Sequence, residues 1–236
     1  MRLVLAGLLL VMFVPALAFA QTDSPEHVTS VTIEADDGLA FVGDYYVPVA
    51  DGPVPGVLLL HMLDGNRSAW EPLIPMLLDA GIAVFNVDMR GHGETGGSRD
   101  WSLIDSDLAL LLDWLKAQEE TSDVATIGGS IGANSALRGA ANDAEVVTAV
   151  ALSPGLDYRG VTTADAIEMM DERPILLVAS RDDNPAGPNT LELFSLTSGD
   201  AQIRMYSGRR HGTNLLPDNE ALMQAIVGWL VEQFGE

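Results

Sequence analysis

The run Gly128-Gly129-Ser130-Ile131-Gly132 constrains the fold of this chain more than any other stretch. An apolar β-type run at 124–127 leads into it, and small residues suited to a helix follow. Glycines at 128 and 132 frame a single serine in the pattern G-x-S-x-G. That pattern marks a sharp strand-to-helix turn which holds the serine under backbone strain and lifts its hydroxyl into solvent. A Cβ at either glycine would collide across so tight a turn. A strand passing directly into a helix also belongs to layered α/β architectures.

The rest of the chain alternates in the same way. Residues 28–34 and 39–47 read as two strands joined at Asp36-Asp37-Gly38, an antiparallel hairpin. The apolar runs at 56–61 and 82–88 read as strands buried on both faces, with an amphipathic helix at 68–80 between them that stops at Gly81. Residues 101–119 place Trp101, Ile104, Leu108, Leu111, Leu112 and Leu115 at helical spacing. Strands are expected again at 146–152, 175–179 and 202–206, and helices at 189–197 and 219–234. This repetition predicts a mostly parallel sheet of about eight strands with helices on both faces. Functional residues of such sheets collect at the carboxyl ends of strands. His61-Met62, residues 88–93, Ser130, Ser153-Pro154 and Asp182-Asp183 each follow a strand directly, and His211 follows the last one.

The first 20 residues read as a targeting segment rather than as part of the fold. Met1-Arg2 supplies a positive start, residues 3–14 are apolar, and Ala18-Phe19-Ala20 forms a small-x-small cleavage site before Gln21. These are the parts of a secretory signal peptide, the other reading being an uncleaved anchor. One domain is then expected over residues 21–236, in a secreted or periplasmic protein with no stable membrane association after cleavage. Without cysteine, neither disulfides nor thiol-ligated metals are possible. Thirty-four acidic residues against 12 basic ones give a net charge of −22, and Lys116 is the only lysine. Such a surface repels phosphate backbones, so nucleic acid is not an expected partner. The excess reads either as a solvated acidic shell suited to a salty environment or as a solubility bias. Charge leaves the oligomeric state open.

A serine hydroxyl needs a base to take its proton, and imidazole is the usual one. Of four histidines, His27 reads as a surface residue, His61 as shaping the loop after a buried strand, and His92, in Arg90-Gly91-His92-Gly93, as structural. His211 lies between the last strand and the last helix, where a loop can bring the ring over Ser130, so it is the expected base. A carboxylate must hold the imidazole tautomer and stabilise its cation. Asp182 and Asp183 both follow the strand at 175–179, and only one can face His211. Two backbone donors are needed for an oxyanion. The N–H groups of Ile131, after the serine, and Met62, after His61, are the expected pair. The histidines and carboxylates do not fall at metal-ligand spacing, and no cofactor is expected.

The elbow at 128–132, the turn Arg90-Gly91-His92-Gly93 and the order Ser, Asp, His together resemble the α/β-hydrolase superfamily over residues 28–234. The loop His61-Met62-Leu63 and the short chain are similar to dienelactone-hydrolase-like and small bacterial esterase members. In related sequences the acid comes three residues after the small residue closing its strand. Counting from Ser180 gives Asp183, the preferred choice, and counting from Ala179 gives Asp182. The resemblance implies a serine hydrolase acting on carboxylic esters through an acyl-enzyme on Ser130. True dienelactone hydrolases use a cysteine nucleophile, which this chain lacks. Many relatives carry a helical lid, whereas residues 153–173 have room for a loop and one short helix, implying small or exposed ester substrates. Leu156, Tyr158, Trp101 and Leu215 are candidates for the pocket wall. An amide or peptide hydrolase with the same triad, and a binding module that keeps the fold without turnover, are the alternatives.

Overall fold

The computed structural model describes residues 27–235; the expected signal peptide at 1–20 lies outside them. Ten strands are present among the described residues: β1 (His27–Glu34), β2 (Ala40–Val47), β3 (Val54–Leu60), β4 (Ala83–Val87), β5 (Thr121–Gly129), β6 (Val146–Leu152), β7 (Asp157–Tyr158), β8 (Val161–Thr162), β9 (Ile175–Ser180) and β10 (Ala201–Tyr206). Eight of them form one sheet in the order β1-β2-β4-β3-β5-β6-β9-β10, and β7 and β8 make a separate small hairpin. β1 pairs antiparallel with β2 and β2 with β4, while every later pairing in the large sheet is parallel. Six α-helices complete the described chain: α1 (Ile74–Asp79), α2 (Ile104–Lys116), α3 (Ile131–Asn142), α4 (Ala164–Met170), α5 (Ala186–Leu196) and α6 (Glu220–Phe234).

Period-2 alternation divides the apolar strand residues between two cores. On one face Leu58, Leu60, Ala149, Ala151, Ile175 and Leu177 pack with α2, α3 and α4 through Leu108, Leu112, Leu137 and Ile167. On the other, Val57, Leu59, Val150, Leu152, Leu176 and Val178 pack under α1 and α6 through Leu77, Leu78, Leu222, Ile226 and Trp229. Each such leucine, isoleucine or valine contributes about 1.5–3 kcal/mol by leaving water. The buried Trp229 indole donates to Thr148 Oγ1 at 2.9 Å, so this large ring seals the second core without an orphaned N–H. Central strands buried on both faces are what the continuous apolar runs predicted.

The expected single helix at 68–80 is not formed. A 3₁₀ turn at Arg67–Trp70 comes first, and α1 begins only at Ile74. Pro72 and Pro75 explain the break, because a ring nitrogen cannot donate to the preceding turn. Apolar periodicity carries no trace of that missing donor. The helix expected at 189–197 instead starts at Ala186, with Pro188 in its first turn, where a helix tolerates proline. Residues 101–119 divide into a 3₁₀ turn at Trp101–Leu103 and α2.

Candidate active site

Strand β5 ends at Gly129, and Ser130 stands at φ 55° and ψ −120° before α3 begins. A left-handed φ costs a non-glycine residue about 1–3 kcal/mol and persists only where the surroundings enforce it. Here the enforcement is visible. Ser130 N–H donates to Leu152 O at 2.8 Å, keeping the elbow in the sheet ladder. A Cβ on Gly128 would strike the Gly132 carbonyl, and one on Gly132 would strike the carbonyls of Leu60 and His61. Gly132 therefore seats α3 directly on the end of β3, bringing Ile131 and the loop after His61 together. We expect Gly132→Ala to lower the unfolding free energy by about 3 kcal/mol, read as the urea midpoint. An unchanged midpoint would mean that this backbone approach is dispensable.

Residues far apart in the chain meet over the elbow. His211 Nε2 lies 2.7 Å from Ser130 Oγ, and His211 Nδ1 lies 2.8 Å from Asp183 Oδ2. With a carboxylate accepting at Nδ1, that nitrogen carries the proton and Nε2 is left to accept from the serine hydroxyl. Ser130 and Asp183 are each 8% exposed, while the His211 side chain is 34% exposed. Asp182 is exposed, and its N–H donates to Gly208 O at 3.0 Å. The strand closes at Ser180, whose carbonyl accepts from Asp183 N–H at 3.3 Å, so the short turn aims Asp183 at the histidine.

The other histidines are held elsewhere. His61 is fully buried; its Nδ1 lies 2.9 Å from Met62 O, and its Nε2 accepts from Met89 N–H at 3.0 Å. Both ring nitrogens are thus engaged, and burial pushes its pKa down to about 4. A neutral ring in this position braces the Met62 peptide against the loop after β4. His92 is buried beside it, at 5.0 Å between ring centroids, with Nδ1 2.9 Å from Arg90 O. Its turn is tied to α2 by Arg90, which makes paired contacts of 2.7 Å to both Asp107 oxygens. His27 is exposed at the start of β1.

The candidate wall residues separate into two sets. Leu215 is buried in the core beneath α6. Trp101 and Leu156 are partly buried against the opposite core. Tyr158, on the β7–β8 hairpin, stands edge-on to the His211 ring at 6.3 Å. Burial and the nearby Asp183 push its pKa up to about 12, so it stays a phenol and not a competing base. A polar cleft of about 410 Å³ lined by Asp44, Arg67, Asn86, Asp88 and Glu94 includes none of the Ser130, Asp183 and His211 cluster. Its arginine is already satisfied by Asp44, Asp88 and Glu94. The described residues contain no group of three or more carboxylates and histidines able to hold a metal ion. Their helices include none long and apolar enough to cross a membrane.

The model of the "Alpha/beta hydrolase family" matches residues 57–230. An uncharacterized protein, YfhR of Salmonella typhi, is 28% identical over 120 residues, 48% of this chain and 41% of that protein. The uncharacterized protein Rv2307c of Mycobacterium tuberculosis is 30% identical over 105 residues, 44% of this chain and 37% of that protein. The chain thus spans only about two fifths of the length of these curated relatives. The esterase Pf2001 of Pyrococcus furiosus superposes with a TM-score of 0.77 at 20% identity, covering 93% of this chain and 97% of that one. Est1E of Butyrivibrio proteoclasticus, solved with ferulic acid bound, gives 0.75 at 17% identity over 87% of this chain and 100% of that one. A dienelactone hydrolase from Anabaena variabilis gives 0.71 at 21% identity over 89% and 97%. At these identities the structural likeness establishes the fold alone.

Proposed function

This chain belongs to the alpha/beta hydrolase family, and from that premise we propose that it is a serine hydrolase of carboxylic esters. The observation that carries the reading is the unbroken hydrogen-bond chain from Ser130 through His211 to Asp183, at 2.7 and 2.8 Å. In the first step Ser130 Oγ attacks the ester carbonyl carbon while its proton passes to His211 Nε2. Asp183 holds Nδ1–H and stabilises the imidazolium that forms. The carbonyl oxygen becomes an oxyanion facing the N–H groups of Met62 and Ile131. Ile131 opens α3, so its N–H has no acceptor within the helix. Collapse expels the alcohol, which takes the proton from Nε2, and leaves an acyl ester on Ser130. Water then attacks the acyl carbon as its proton passes to His211 Nε2, and collapse releases the acid while the departing Ser130 Oγ takes that proton back.

Substrate class follows from what covers the site. Between β6 and β9 stand only the β7–β8 hairpin and α4, a helix of seven residues. Little protein is available there to bury a long acyl chain, which favours small or exposed esters. The likeness to the esterase Pf2001 of Pyrococcus furiosus supports ester chemistry. Residues 1–20 support a secreted or periplasmic location.

Purified protein beginning at Gln21 is expected to hydrolyse p-nitrophenyl acetate and butyrate, with kcat/KM falling for the decanoate. Folded protein that turns over neither short ester would sink the reading and favour amide substrates or a binding role. Equal efficiency on the decanoate would remove the size argument while leaving ester chemistry intact.

A further inference from the structure

We infer that Ser153 and Ser180 are positioning residues for His211, acting as two buried hydroxyl anchors on either side of it. The inference rests on the triad reading above and concerns how the base is held. His211 sits on a loop between β10 and a 3₁₀ turn at Gly212–Leu215, with Ser207, Gly208, Arg209 and Arg210 exposed before it. Glycines at 208 and 212, both at positive φ, leave this segment little rigidity of its own. Yet the imidazole has to meet Ser130 and Asp183 at the same time.

The backbone on each side of His211 is tied to a side chain outside the loop. Ser180 Oγ donates to Arg210 O at 2.7 Å, holding the peptide group that leads into His211. Gly212 N–H donates to Ser153 Oγ at 2.9 Å, holding the peptide group that leaves it. Both serines are fully buried, and they lie at the ends of β6 and β9, neighbouring strands of the sheet. Asp183 restrains the ring at Nδ1 alone. The two hydroxyls restrain the backbone around Cα, and together the three contacts leave Nε2 no freedom to swing away from Ser130.

Two details argue that the arrangement is built for position. Ser153 adopts φ 56°, a strained conformation for a serine, held by its N–H donating to Val178 O at 2.7 Å. Strain kept beside a reactive centre is a common mark of pre-organisation. Ser180 serves acid and base together: its carbonyl accepts from Asp183 N–H at 3.3 Å while its hydroxyl donates to the histidine loop. The Asp183–His211 distance is thus referenced to a single strand end. A misplacement of about 1 Å at a reacting group can cost about 100-fold in rate.

The test uses Ser153→Ala, Ser180→Ala, the strain-free Ser153→Gly and the hydroxyl-keeping Ser180→Thr. Each is assayed for kcat and KM on p-nitrophenyl butyrate, and for the low-field proton resonance of His211 Nδ1–H. We expect kcat to fall by about 10–100-fold in each hydroxyl deletion with KM within about two-fold. The low-field proton should broaden or vanish, and Ser180→Thr should recover most of the rate. Folded deletion variants that keep the parent kcat and an unchanged low-field proton would overturn the inference. So would losses of kcat and KM that simply track melting temperature and recur in Ser180→Thr. A parent that turns over no ester and does not react with a fluorophosphonate would fail the esterase reading instead. The proton resonance would still report the anchors in that case.

Discussion

Ser130→Ala is expected to cut ester turnover by about 10⁶-fold while the protein keeps its fold. Two features of the site set that scale. In the proposed mechanism the hydroxyl forms the covalent intermediate, and it lies 2.7 Å from His211 Nε2 as the donor to it, so its removal would end acylation and base catalysis together. What would survive is binding and the two backbone donors proposed at Met62 and Ile131, which alanine at 130 leaves in place. The fold should survive because the contact that holds the elbow is made by the Ser130 backbone, its N–H to Leu152 O, and not by the side chain. Steady-state kinetics on p-nitrophenyl butyrate, with circular dichroism and a melting curve on the same preparation, checks the prediction. A folded variant with more than about a hundredth of the parent rate would mean that another group forms the covalent bond, or that none does.

Asp183→Asn should lower kcat by about 10⁴-fold, whereas Asp182→Asn should stay within about two-fold. An amide at 183 can offer Nδ2–H to the imidazole, which favours the tautomer with its proton on Nε2. That tautomer points a donor at Ser130 and cannot accept the hydroxyl proton. Asp183 is buried with its Oδ2 at 2.8 Å from Nδ1, so little water is at hand to compensate. Asp182 is one residue away but exposed, and its backbone N–H donates to Gly208 O. Both variants are isosteric, so stability should change little and the comparison reads chemistry directly. Equal losses in the two variants, or the larger loss at 182, would reverse the assignment of the acid.

Several features could be read from the chain because they are local. Collision across a tight turn demands glycine at 128 and 132 whatever else surrounds it, and the Cβ clearances around both bear this out. Strand positions were legible because apolar runs of six or seven residues between turn signals admit few other readings. The structure agrees to within a residue or two for β3, β4 and β6. Where a local rule had been left out of account, the reading failed: Pro72 and Pro75 divide residues 68–80, which apolar spacing alone had joined. Leu215 failed for a different reason. A leucine in a loop beside His211 is as consistent with a pocket wall as with a core, and only the packing of α6 over the sheet decides for the core.

By itself, then, the sequence determined the alternation of strands and helices, the position and strain of the elbow, and the order serine, aspartate, histidine. The first two follow from sterics or burial acting over a few neighbouring residues, and the third rests on the resemblance to the α/β-hydrolase superfamily. The tertiary structure alone decided what depends on contacts across the fold. It brought Ser130 to His211 across 81 positions and His211 to Asp183 across 28, with Asp182 left in solvent. It turned His61 into a neutral brace between Met62 and Met89, and it set Ser153 and Ser180 on the two sides of the histidine, 59 and 30 positions from their partners. Hydrogen-bond partners over such separations are set by how the strand ends line up in the sheet, and that alignment is a property of the packed whole.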